Sequence, residues 1–130
     1  MQKPRFYRCS VCGTVVGRIH DTGTALSCCG GNMEHLVPHR AGDPGEELCL
    51  PNVTRDEYRI HVTAGDGGKS AVEWVYLATD RGGQRKCSCN SVKNPDVMPQ
   101  ANDITFALAG EMPQAVYAYC GEQGLWEKEV

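Results

Sequence analysis

Four cysteines within the first thirty residues limit this chain more than anything else in it: Cys9-Ser10-Val11-Cys12-Gly13, then Cys28-Cys29-Gly30. Two glycine-flanked cysteine pairs make one tetrahedral site. Soft thiolate donors select iron or zinc, and a closed sulfur tetrahedron leaves no position for a substrate. Such a site carries electrons or holds a fold. The surrounding segment needs holding, because residues 5–37 have only Val15, Val16, Ile19 and Leu26 as an aliphatic run before Leu36. A unit that small cannot order itself by burial alone and requires a staple.

The other bulk properties narrow the class. Eight cysteines in 130 residues would read as a disulfide framework in an exported chain. Here the amino end, Met1 to Phe6, has charge but no apolar run behind it of signal length, and no segment approaches a membrane span. The expectation is a cytoplasmic protein whose cysteines are metal ligands or redox thiols. Residues 1–40 carry five Lys/Arg against two Asp/Glu, and residues 41–130 eight against fourteen. Neither part has the basic stripe on which nucleic-acid affinity depends, so no nucleic-acid partner is expected.

Fifteen glycines and seven prolines punctuate short strands, and no amphipathic helix is evident. The stretch 38–47, His39-Arg40-Ala41-Gly42-Asp43-Pro44-Gly45-Glu46 at its heart, has linker composition and separates a front domain, 1–37, from a second, 48–130. Beyond it Tyr58, Ile60 and Val62 alternate with Arg59, His61 and Thr63. The turn Gly65-Asp66-Gly67-Gly68 and the run Val72 to Leu77 then predict a hairpin. Further turns at Asp80-Arg81-Gly82-Gly83 and Gly110-Glu111-Met112-Pro113 flank strand-like runs at 85–89, 104–108 and 115–119. This spacing predicts an all-β chain, with a small antiparallel β-sandwich behind the metal module.

The front segment resembles the desulforedoxin module. The residues that carry the likeness are Tyr7-Arg8-Cys9-Ser10-Val11-Cys12-Gly13, Val15-Val16, Leu26-Ser27-Cys28-Cys29-Gly30 and Met33. The adjacent pair Cys28-Cys29 separates it from zinc ribbons and rubredoxin-like sites, which use two spaced knuckles. The resemblance implies iron at Cys9, Cys12, Cys28 and Cys29, and a homodimer. Past the linker, Val72-Glu73-Trp74-Val75-Tyr76-Leu77 and Tyr119-Cys120-Gly121-Glu122-Gln123-Gly124-Leu125-Trp126 are similar to the superoxide reductase domain of the desulfoferrodoxin family, an immunoglobulin-like sandwich.

That family implies an iron held by four imidazoles and one thiolate, with an open position for superoxide. Residue by residue, Cys120 falls on the thiolate, but Gln123 stands at one histidine. Cys49 stands at another, with Leu48 in place of the neighbouring lysine. The shortened turn Gly65 to Ser70 supplies neither of the remaining two. His61 reads as a solvated strand residue, and His20, His35 and His39 as surface side chains. Cys87 and Cys89 have no family counterpart; with Cys49 and Cys120 they form a candidate second four-thiolate set, or are small buried hydrophobes.

Three functions stay open: an iron-binding electron-transfer or redox-sensing protein with a lost or sulfur-rebuilt reductase site, a superoxide reductase with unusual ligation, and a zinc-stapled interaction module. The expected partners are a second copy of the chain and a small electron-transfer protein.

Overall fold

The computed structural model describes residues 3–18, 20, 22–44, 46–64, 72–87, 103–120 and 124–130. It divides into two compact units, Met1–Val37 and Pro38–Val130. Apart from one helical turn the described chain is all-β. No helix among the described residues is long and apolar enough to cross a membrane.

In the first unit β1 (Arg5–Arg8) is flanked by β2 (Val15–Arg18) and β5 (Glu34–Leu36). The two-residue strands β3 (Ser27–Cys28) and β4 (Gly31–Asn32) form a separate tight hairpin, closed by the Met33 amide donating to the Leu26 carbonyl at 2.8 Å. Among the described residues of this unit, Phe6 and Cys9 are the hydrophobic ones that are buried. Val15 and Val16, the expected apolar pair, are only half-buried, and Val11 is 75% exposed. A three-stranded sheet with so little beneath it lacks the apolar burial that holds ordinary domains together.

The described residues of the second unit include a helical turn, α1 (Glu46–Cys49), and seven strands: β6 (Pro51–Arg55), β7 (Arg59–Ala64), β8 (Val72–Thr79), β9 (Gly82–Cys87), β10 (Asp103–Ala107), β11 (Pro113–Cys120) and β12 (Gly124–Glu129). One sheet has the order β10-β7-β6, the other β12-β11-β8-β9, and every neighbouring pair is antiparallel. Strand periodicity explains the core: Ile60 and Val62 from β7, Ile104 and Phe106 from β10, Val75 and Leu77 from β8, and Val116 and Ala118 from β11 meet in one cluster with Trp126.

One expectation is corrected here. The hairpin predicted from Tyr58 to Leu77 does not form: β7 pairs with β6 and β10, while β8 pairs with β9 and β11. The chain passes from one sheet to the other instead, and the predicted turn residues Gly65 to Gly68 lie outside the described residues. Within the stretch 38–47, His39 and Arg40 make defined contacts. His39 donates its amide to the Leu125 carbonyl and accepts from the Glu127 amide, both at 2.8 Å, so it pairs with β12 at the open edge of the four-stranded sheet. Its ring lies 5.0 Å from that of Trp126. Arg40 reaches the buried Glu127 carboxylate at 3.0 Å. Edge backbone groups need partners, and a buried carboxylate needs a cation; the polar stretch supplies both.

Candidate metal centre

The first unit is organised around its cysteines. After β1 the chain turns at Cys9-Ser10-Val11-Cys12; the Cys12 amide donates to Cys9 Sγ at 3.5 Å and the Gly13 amide to the Cys9 carbonyl at 2.9 Å. Gly13 takes φ +80°, a left-handed conformation that glycine accepts without a Cβ clash, and the chain reverses into β2. The adjacent pair is presented differently. Cys29 has φ +53°, the one positive φ among the described non-glycine residues, and Gly30 follows at +80°. Consecutive side chains of an extended strand point apart, so bringing both sulfurs to one point needs this left-handed step, at a cost of about 1–2 kcal/mol for a residue with a Cβ.

The result is one compact sulfur cluster. The Sγ atoms of Cys9, Cys12, Cys28 and Cys29 all lie within 4.8 Å of one another. Cys12 to Cys28 measures 3.6 Å and Cys28 to Cys29 3.8 Å. With metal–sulfur bonds of about 2.3 Å a tetrahedron has sulfur–sulfur edges of about 3.8 Å, so the donor set fits a four-thiolate ion. Cys9 is buried, Cys28 intermediate, and Cys12 and Cys29 are exposed. One side of the cluster therefore faces solvent.

The thiols also divide electrostatically. Thr14 Oγ1 lies 3.0 Å from Cys12 Sγ. Hydrogen bonds from the Thr14 hydroxyl and amide bring the Cys12 thiol down to about 6, and the Cys12 and Val11 amides lower Cys9. Cys28 is pushed up to about 12, first by Cys12 and then by Cys9 and Cys29, and Cys29 is raised chiefly by Cys12. The thiolate form is favoured at Cys12 and Cys9 and disfavoured at Cys28 and Cys29 beside them. A cation at the centre removes that conflict.

The second cysteine set is not assembled as a thiolate site. Cys49, at the end of α1, and Cys120, at the end of β11, are joined in a disulfide, with Cα atoms 6.5 Å apart and a sequence separation of 71. Both are buried in the apolar core, at 0% and 2% exposure. Each sulfur's bonding capacity is used by the other, so the expectation of Cys49 and Cys120 as two free ligands is corrected. Burial in hydrocarbon, as well as compartment, governs how readily a reductant reaches a sulfur pair such as this one. The β9 residue Cys87 is in register with Trp74, and Cys89 lies outside the described residues, as do Gln123 and Ser70.

The histidines form no metal cluster among the described residues, where the front four cysteines are the one group of three or more close donors. His61 Nδ1 is 3.0 Å from Thr105 Oγ1 on the neighbouring strand, His35 lies against Tyr7, and His39 is seated on Trp126. Strand pairing accounts for all three contacts.

Comparison with known proteins agrees with both units. Residues 2–36 match the family model described as desulfoferrodoxin, N-terminal domain. The chain is 29% identical over 126 residues to a desulfoferrodoxin homolog of Archaeoglobus fulgidus, covering 93% of each chain. It is 27% identical over 133 residues to a desulfoferrodoxin of Syntrophotalea carbinolica, covering 98% of each. Among solved structures, the superoxide reductase from Treponema pallidum superposes with a TM-score of 0.71 over 98% of both chains at 19% identity, a likeness of fold.

Proposed function

From the premise that this chain is a desulfoferrodoxin relative along nearly its whole length, with a desulfoferrodoxin N-terminal domain at residues 2–36, we propose that it is an electron-transfer protein with one iron in its front unit and no superoxide-reducing iron in its second. The observation that carries this reading is the four-sulfur cluster of Cys9, Cys12, Cys28 and Cys29, close enough for one ion and open to solvent at Cys12 and Cys29. Iron bound there would supply a one-electron couple with all its ligand positions filled by sulfur.

The protein's own residues do the rest. Cys9, buried against the end of β1, anchors the cluster, while the solvent-facing Cys12 and Cys29 shorten the path to a partner. Val11, between the first two ligands and 75% exposed, offers an apolar contact beside that path for a small electron-transfer protein. The same scarcity of burial supports a homodimer in which Val15 or Val16 is covered by a second copy, to be checked by sedimentation at micromolar concentration. A four-thiolate site fits a reducing compartment such as the cytoplasm.

The second unit supports the negative part of the proposal. Substrate reduction requires an ion with a vacant position and neutral nitrogen ligands. At the positions that resemble the family's ligands, Cys49 and Cys120 are bonded to each other inside hydrocarbon. Stopped-flow mixing of the reduced protein with superoxide tests this. Slow oxidation, unchanged in a Cys49→Ala/Cys120→Ala protein, is expected; rapid oxidation abolished by that double substitution would overturn the reading in favour of a reductase.

A further inference from the structure

Resting on the reading of the front cluster as an iron tetrathiolate, we propose that the Thr14 hydroxyl raises the reduction potential of that centre by donating a hydrogen bond to the Cys12 sulfur, as a positioning residue that acts through its ligand. Thr14 Oγ1 is 3.0 Å from Cys12 Sγ. A metal-bound thiolate has no proton to give, so the hydroxyl is the donor.

The backbone fixes this contact. The Thr14 carbonyl accepts from the Cys9 amide at 2.9 Å, the Gly13 amide donates to the Cys9 carbonyl at 2.9 Å, and the left-handed Gly13 turns the chain between them. Val15 then enters β2 in register with Arg8. Thr14 is therefore held at both its ends over the knuckle, two residues from the sulfur it meets.

The electrostatic argument gives the sign. One electron arrives from an external one-electron donor protein, and no covalent bond forms or breaks. Four thiolates around a ferric ion carry a net charge of about −1, and around a ferrous ion about −2. A donated hydrogen bond is stronger to the more negative sulfur, so it favours the reduced state. Cys12 and Thr14 are both exposed, so water replaces part of any lost hydrogen bond and the effect is moderate.

The test is a redox titration of the full-length protein reconstituted with iron, comparing wild type with Thr14→Val, Thr14→Ala and Thr14→Ser at equal iron content. At a fixed ambient potential, Val and Ala are expected to raise the ferric-to-ferrous ratio roughly two- to fivefold. At 59 mV per tenfold for one electron, the potential then falls by about 20–40 mV. The ferric sulfur-to-iron charge-transfer bands should move to longer wavelength, since a sulfur without its hydrogen bond donates more readily. Serine keeps the hydroxyl and should match wild type in both readouts. Val and Ala proteins with wild-type potential and bands would overturn the proposal while leaving the iron site intact, as would a Ser protein that shifts as far as Val. A chain that shows no ferric tetrathiolate spectrum after reconstitution would overturn the site reading itself, and this proposal with it.

Discussion

The two units of this chain use sulfur in opposite ways. In the first, four thiols gather at a solvent-facing edge where, among the described residues, Phe6 and Cys9 are the buried hydrophobic ones, so burial alone does little to order the segment. In the second, a core containing Ile60, Val62, Leu77, Phe106, Val116 and Trp126 is already sufficient, and Cys49 and Cys120 close on each other inside it. In the front cluster donor amides and the Thr14 hydroxyl favour the thiolate at Cys9 and Cys12, and all four sulfurs lie close enough to share a metal. Sulfur surrounded by hydrocarbon has no stabilised thiolate form and pairs covalently or stays neutral. Environment, more than residue type, decides which cysteine is a ligand.

The largest expected break in this contrast comes from Cys12→Ser. With a ligand removed, the visible absorption should bleach or shift, and amides of residues 5–37 should exchange freely with solvent, while those of β8 and β11 stay protected; hydrogen exchange read by mass spectrometry checks both. Unchanged metal content and spectrum would remove the link between ligation and folding in the first unit.

The converse experiment is Cys49→Ala/Cys120→Ala. Opening a ring spanning 71 positions should lower the second unit's stability by about 4 kcal/mol in denaturant melts, with the front-site absorption unaltered. A double substitution that changes the visible spectrum would show that the second unit holds a metal too.

A smaller effect is expected at the edge of the second unit. Arg40→Ala removes a guanidinium from the buried Glu127 carboxylate; because Arg40 is itself mostly exposed, the loss should be about 1–2 kcal/mol, again by denaturant melt. The smallest expected effect is at Asp56, whose Oδ1 accepts from the Tyr58 and Arg59 amides at 2.8 Å each. The Tyr58 amide is the main cause that holds this carboxyl below its ordinary value. The carboxylate therefore contributes stability above the unfolded value of about 3.9, and the contribution is lost as pH falls through the lowered folded value. Thermal melts of Asp56→Ala should show a slight deficit at pH 7 that shrinks in acid.

Much of this was legible in the sequence because it is local. The knuckle Cys9 to Gly13 and the pair Cys28-Cys29 announced the cluster, and the alternation of Ile60 and Val62 with Arg59 and His61 announced β7. What was not legible depends on partners distant along the chain. A glycine-rich stretch after β7 reads the same whether the strand folds back on itself or crosses to the opposite sheet. The polar composition of His39 and Arg40 gives no sign that β12 has an edge to cover and a buried Glu127 to neutralise. Cys49 and Cys120 fell into one sulfur set on the sequence, yet nothing local distinguishes a shared ligand role from a covalent bond across 71 positions. The left-handed Cys29 is an intermediate case: adjacent ligands require some such step, but only the backbone shows where it is taken.

The two units differ most sharply in the proposed single iron of the first and the absence of a superoxide-reducing iron from the second. Metal content per chain, measured with the visible spectrum on protein purified without air and then oxidised, tests that directly. The expected result is one iron per chain with ferric tetrathiolate bands alone, falling to none in Cys12→Ser. Two irons per chain, a separate longer-wavelength band of a histidine-thiolate iron, or an iron that survives Cys12→Ser would contradict it.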